Sequence, residues 1–184
     1  MIYIFCAPSG SGKSTMVKHL LTTFPNTFEL SISCTTRAPR GEEVHGREYY
    51  FISPEEFRQR IARDEFIEHE QVYEGLYYGT LKSEISRIEG NGHHVIFDVD
   101  VKGGINLKHI FGDRAVSIFI CPPSIDCLRD RLIGRGDTAP EMIEKRVAKA
   151  SKEMEDKIHF DHIIINDNLQ SAFANLDTLI HNTL

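Results

Sequence analysis

Nine consecutive residues, Ala7-Pro8-Ser9-Gly10-Ser11-Gly12-Lys13-Ser14-Thr15, combine two glycines, a lysine and four hydroxyl side chains. The spacing fits a phosphate cradle. Glycines at positions 10 and 12 let the backbone approach an anion closely, and successive N–H groups with a helix N-terminus point at it. Lys13 neutralises charge shared by β- and γ-phosphates, and Ser14, with Thr15 behind it, places a hydroxyl on Mg²⁺. The first position carries Ala7 where the pattern has glycine, which is tolerable if its φ is negative. Without its context the same stretch reads as a Gly/Ser turn with an incidental lysine.

Further along, His94 to Val101 reads as an apolar strand with Asp98 and Asp100 on one face and Val95, Phe97, Val99 and Val101 on the other. Two carboxylates at the end of such a strand need a cationic or hydrogen-bonding partner. Mg²⁺ or bound substrate would supply it, with Asp98 as the metal-side carboxylate. The alternative is a solvated strand end. His93-His94 and His159-x-x-His162 lack carboxylate or cysteine partners at ligand spacing and read as surface histidines.

These residues need a scaffold to hold them. Ile2 to Ala7 is a short apolar run stopped by a glycine-rich turn, as in a parallel strand buried on both faces. Met16, Val17, Leu20, Leu21 and Phe24 then recur at helical spacing. Apolar runs at 94–101, 115–120 and 162–165 alternate with helical patterns around Ile105, at 128–132 and at 169–180, which predicts an α/β parallel sheet. From about Ser31 to Thr80 the rhythm changes to alternation at 48–52 and 66–73, the mark of a β-rich insertion. Ser53-Pro54-x-Glu56 predicts a capped helix through Phe57 and Ile61. Thr138 to Glu141, with Pro140, repeats that signal after Gly134-Arg135-Gly136-Asp137, a candidate lid.

The 184 residues suit one domain burying roughly 70% of its unfolded surface. With 21 basic against 27 acidic residues, the net charge of −6 argues against a nucleic-acid-binding surface. Cys6, Cys34, Cys121 and Cys127 form no metal-type pair and are expected to be reduced thiols. The start lacks a signal peptide's pattern and no run approaches a membrane span, so the expectation is a soluble, cytoplasmic protein without membrane partners.

The stretch Ser31-Ile32-Ser33-Cys34-Thr35-Thr36-Arg37-Ala38-Pro39-Arg40, with Glu43, Gly46, Tyr49, Phe51 and Tyr77-Tyr78-Gly79-Thr80, resembles guanylate kinase. The phosphate loop, Asp98-Val99-Asp100, Arg129-Asp130-Arg131-Leu132 with Gly134-Arg135-Gly136, Arg146 and Ile165-Asn166-Asp167 extend the resemblance over essentially the whole chain. It implies a P-loop NTPase-type parallel sheet flanked by helices: a core at 1–30, 83–124 and 151–184, a GMP-binding insertion at 31–82 and a helical lid at 125–150. The implied reaction is ATP plus GMP to ADP plus GDP with Mg²⁺, dGMP also serving as acceptor. ATP and GMP would bind on opposite sides of a cleft that closes before transfer.

By the same resemblance Arg37, Arg40, Tyr49 and Tyr78 hold the GMP phosphate, while Ser33, Glu68, Thr80 and Asp100 read guanine. Two guanidinium forks and two phenols suit a dianion. A carboxylate at Glu68 can accept from N1–H and N2–H of guanine, which adenine cannot offer. Arg131, Arg135 and Arg146 resemble arginines that close over the transferring phosphoryl group, and Asn166 an adenine contact. Taken singly, these read as surface arginines, core tyrosines, a solvated strand residue and an Asn-Asp turn.

Glu42 and Lys102 depart from the family's usual glycine and glutamine, and the turn before Tyr77 looks one residue longer. Two rivals share the fold: a scaffold-type module that binds peptides, and a kinase for another phosphorylated acceptor. The retained Lys13 and Ser14 oppose the first. Ser33, Glu68 and Thr80 oppose the second, since a ribose phosphate has no base to read.

Overall fold

The computed structural model describes residues 1–134 and 140–184. The chain divides into two compact units, one of residues 1–28 and 96–184, the other of 29–95. The residues expected as an insertion, 31–82, fall within the second unit, and the described part of 125–150 within the first.

A five-stranded sheet runs in the order β2 (Phe28–Leu30), β7 (His94–Asp98), β1 (Ile2–Cys6), β8 (Ala115–Cys121), β9 (His162–Ile165). β1 and β8 pair in parallel, as do β8 and β9. Every residue of β1 and β8 is buried, which is why both read as unbroken apolar runs rather than as alternation. The first unit's helices are α1 (Lys13–Thr23), α4 (Val101–Phe111), α5 (Ile125–Gly134), α6 (Pro140–Glu155) and α7 (Leu169–Thr183). Leu128 and Leu132 of α5 pack on Ile143, Val147 and Ala150 of α6. Parallel sheet and flanking helices are as the residue pattern predicts. No helix among the described residues is long and apolar enough to cross a membrane.

One strand is shorter than expected. β7 stops at Asp98, and Val101 opens α4. Asp100 is the N-cap, its side chain accepting from Gly103 N–H at 2.7 Å. Alternating valines and aspartates satisfied a strand pattern, but a short carboxylate that can take up a loose helical N–H is better placed at a cap.

The second unit holds a four-stranded sheet in the order β4 (Tyr50–Phe51), β3 (Cys34–Thr35), β6 (Leu76–Leu81), β5 (Phe66–Tyr73), with α2 (Pro54–Ala62) and α3 (Lys82–Gly90). β5 and β6 form an antiparallel hairpin that closes at Tyr73 and Leu76 around Glu74-Gly75, the glycine at φ +74°. Cys34, Phe57, Phe66 and Leu81 form the core, with Phe57 and Phe66 stacked 4.3 Å apart. As its sequence predicts, α2 is capped by Ser53, whose Oγ accepts from Glu56 N–H at 3.0 Å. The Glu56 carboxylate turns instead to Arg60, at 2.8 Å. The alternation at 48–52 yields only two strand residues, because turn bonds engage what precedes them: Val44 N–H donates to Glu48 at 2.7 Å and Gly46 N–H to the Tyr49 carbonyl at 2.9 Å.

Of the expected lid at 125–150, residues 135–139, which include Arg135 and Thr138, lie outside the described residues.

Candidate active site

In the first unit, β1 delivers the chain into a turn in which Ser11 N–H donates to the Pro8 carbonyl at 3.2 Å. Gly10 and Gly12 sit at φ +92° and +93°, a region that a side chain makes costly. A Cβ on Gly12 would also collide with the Asn166 amide. Among the described residues only Asn26 and Asp64 are non-glycines at positive φ, so Ala7 meets the condition that its methyl group requires.

Gly12 caps α1 without a side chain, and the first helical turn carries no acidic residue. Its leading N–H groups are therefore presented as donors at the positive end of the helix, a setting for an anion. Lys13 Nζ lies 2.6 Å from Asp98 Oδ1 and donates to the Val99 carbonyl at 2.5 Å. Thus the loop lysine and the carboxylate at the end of β7 meet. Ser9, Ser14 and Thr15 are exposed, and Pro8 is buried. Ser11 is wholly buried, and its Oγ has no hydrogen-bond partner among the described residues.

Asn166, after β9, is buried and donates from Nδ2 to the Ser11 carbonyl at 2.8 Å. Its own carbonyl accepts from Arg131 Nη2 at 2.8 Å. Asn166 thus links the loop's backbone to an arginine on α5. Arg146 is half-buried on α6. Burial raises the Glu153 carboxyl above its ordinary range, against the lowering influence of Lys149.

In the second unit, Arg37 grips Glu43 with both terminal nitrogens, at 2.6 and 2.7 Å. Its guanidinium lies 5.0 Å from the centre of the Tyr49 ring and 5.6 Å from that of Phe51, and the Tyr49 and Tyr78 rings are 5.9 Å apart. The Arg37 hydrogen bond, then the N–H of Arg40, holds the Glu43 carboxyl down to about 2, and hydrogen bonding to Glu43 raises Arg37. Arg40 itself is exposed, its N–H donating to Glu43 at 2.8 Å. Ser33 Oγ and Thr80 Oγ1 share a hydrogen bond of 3.0 Å, and Thr80 is the cross-strand partner of Glu68. Two clusters result: Arg37, Tyr49 and Tyr78 with Glu43, and Ser33, Thr80 and Glu68. Asp100 belongs to the first unit.

Sequence reasoning gave Glu43 no role of its own. The signal was an acidic residue three positions after Arg40 and six after Arg37, close enough for a tight loop to fold back.

The family model described as guanylate kinase matches residues 1–183. The guanylate kinase of Bacteroides fragilis is 55% identical over 173 residues, 94% of this chain and 84% of that protein. The Escherichia coli guanylate kinase is 42% identical, covering 97% of this chain and 86% of that protein. Among solved structures, guanylate kinase from Anaplasma phagocytophilum superposes with a TM-score of 0.73 at 25% identity, covering 100% of this chain and 85% of that one. Matches that span nearly every residue, on a sheet that sets a glycine-delivered anion site beside Lys13 and Asp98, make the chain a member of the guanylate kinase family.

Proposed function

We propose that the protein is an ATP:GMP phosphotransferase. The observation that carries this reading is the loop of residues 7–15, where an uncapped helix N-terminus, two glycines at positive φ and Lys13 converge on one anion-sized setting. A phosphate oxygen there would also give buried Ser11 Oγ the partner it lacks among the described residues. ATP fits this loop, with Lys13 exchanging Asp98 for the β- and γ-phosphates.

No group of three or more His, Cys, Asp or Glu among the described residues can hold a metal by itself. That suits Mg²⁺, which takes one or two protein oxygens and completes its shell with phosphates and water. The Ser14 hydroxyl and the Asp98 carboxylate would hold it. Held there, it would supply positive charge that neutralises the phosphate oxygens.

The Arg37, Arg40, Tyr49 and Tyr78 group is the proposed seat of the GMP phosphate, with Glu43 fixing Arg37. Ser33, Glu68 and Thr80, with Asp100, are the proposed readers of guanine. A phosphate oxygen of GMP forms a new bond to the γ-phosphorus as the bond to the β–γ bridging oxygen breaks, leaving ADP and GDP. Charge on the equatorial oxygens calls for fixed cations rather than a covalent nucleophile, a task assigned to Lys13, Arg131, Arg135 and Arg146. Arg135 holds this place by resemblance alone.

A coupled assay of ADP release with GMP, AMP, CMP, UMP and no acceptor tests the reading, each with Mg²⁺ and with excess chelator. We expect turnover with GMP that exceeds that with AMP by about 10⁴-fold, since a site of buried hydrogen bonds rejects an analogue that leaves them unpaired. Chelation should abolish it. Equal rates with all four acceptors would overturn the assignment.

A further inference from the structure

Glu84, on α3, is 3% exposed, and a carboxylate so deeply placed must be matched by donors. Its partners come from three separate segments. Oε1 accepts from Ile32 N–H at 2.9 Å, Oε2 from the Tyr50 hydroxyl at 3.2 Å, and Arg87 donates to both oxygens at 2.8 and 3.1 Å. Arg87 is itself held by Glu29, and hydrogen bonding first to Glu84 and then to Glu29 raises its pKa.

Ile32 immediately precedes Ser33, and Tyr50 immediately follows Tyr49, two of the residues assigned to the acceptor. Ser33 and Tyr49 immediately precede β3 and β4, each only two residues long. Backbone bonds tie this pair together, among them Tyr50 N–H to the Ser33 carbonyl at 2.9 Å and Ile52 N–H to the Thr35 carbonyl at 3.0 Å. So short a ladder fixes its register weakly. Glu84 adds two bonds, one to each side.

We propose that Glu84 is a positioning residue for the acceptor: one buried carboxylate that clamps the lead-in of β3 to the ring of Tyr50 and so fixes Ser33 and Tyr49 relative to each other. The inference rests on the acceptor reading above. Glu84 touches no substrate in this account and acts only through its neighbours.

The clamp borders a cavity of about 520 Å³, lined in part by Cys34, Tyr50 and Arg87. Water entering it can solvate groups that a substitution leaves unpaired, so variants are expected to lose acceptor affinity before they lose the fold. Tyr50→Phe, which deletes one hydroxyl and keeps the ring, is the gentlest probe.

The test is calorimetric titration of GMP and of ATP into wild type, Tyr50→Phe, Glu84→Gln and Glu84→Ala, with melting curves and steady-state kinetics on the same samples. With a net hydrogen bond worth roughly two- to tenfold in an equilibrium constant, Tyr50→Phe should raise Kd for GMP about threefold and Glu84→Ala about tenfold or more. Glu84→Gln, which keeps one acceptor oxygen in place, should fall between them. ATP affinity should stay within about twofold of wild type, and KM for GMP should follow its Kd while kcat changes little. Unchanged GMP affinity in folded Tyr50→Phe and Glu84→Gln would overturn the inference. So would equal losses of GMP and ATP affinity in step with a fall in Tm, the mark of a purely structural anchor. A wild-type protein that binds no GMP would overturn the acceptor reading itself, an outcome read before any variant is made.

Discussion

Lys13 is held by the ion pair with Asp98 and by the Val99 carbonyl, and both side chains of the pair remain partly exposed. A pair of that kind contributes little to stability, so the lysine can change partners at small cost. Lys13→Met keeps the aliphatic stem and removes only the charge. It should lower kcat by about 10²- to 10³-fold, the loss typical of one fixed donor to the transition state, while melting near wild type. Near-normal turnover in a folded variant would sink the proposed role. The Arg37–Glu43 pair is not poised to switch near neutral pH. Glu43 is held from 4.5 down to about 2, so the pair is fully formed above about pH 4.5 and lost only as pH falls toward 2. Lys13 was legible because its chemistry is written in adjacent residues. Glu84 was not, because its partners Ile32 and Tyr50 lie 52 and 34 positions away and only the fold brings them to it.

At the scale of elements, unbroken apolar runs were the most legible, whether buried throughout, as in β1 and β8, or with exposed residues, as in β9. β9 matches its apolar run of 162–165, and β1 and β8 do so to within a residue at one end. β3 was not readable as a strand, since two residues carry no period, and β4 keeps only two residues of the alternation at 48–52. Asp100 shows a different limit: a period-2 pattern of valine and aspartate fits both a strand and a strand end followed by a helix cap. Its observed place gives it a structural task beside the guanine contact proposed for it, and substitution can separate the two. Asp100→Ser keeps a good N-cap, so its stability should match wild type within a few tenths of a kcal/mol. Asp100→Ala should cost about 1 kcal/mol, or roughly 2 to 4 °C in Tm for a chain of this length. Both lack the carboxylate, so both should bind GMP more weakly by calorimetry. If Asp100→Ser restores GMP affinity as well as Tm, the residue is a cap and nothing more.

For the whole molecule, the second unit runs from Glu29 to Val95 and contains the β-rich stretch expected at 31–82. α3 was not read from the sequence, and it joins the β-rich stretch through Glu84 in the clamp. The proposed ligands divide along the same line: the residues assigned to ATP lie in 1–28 and 96–184, and those assigned to GMP, Asp100 apart, in 29–95. A ligand stabilises only the conformations that bind it, by about 2.7 kcal/mol at a hundredfold excess over Kd. That is about a hundredfold slowing for amides that exchange through opening of the liganded unit. Hydrogen exchange should therefore show GMP alone slowing amides of β3 and β6, and ATP with Mg²⁺ slowing those of β1 and β8. Asp100 alone offers GMP a hold on the first unit, so Asp100→Ser should confine the GMP effect further to 29–95. If either nucleotide slows both sets equally, the two units open as one cooperative block and the division of labour drawn here fails. If GMP slows neither, the acceptor residues of the second unit have been wrongly assigned, whatever the ATP result.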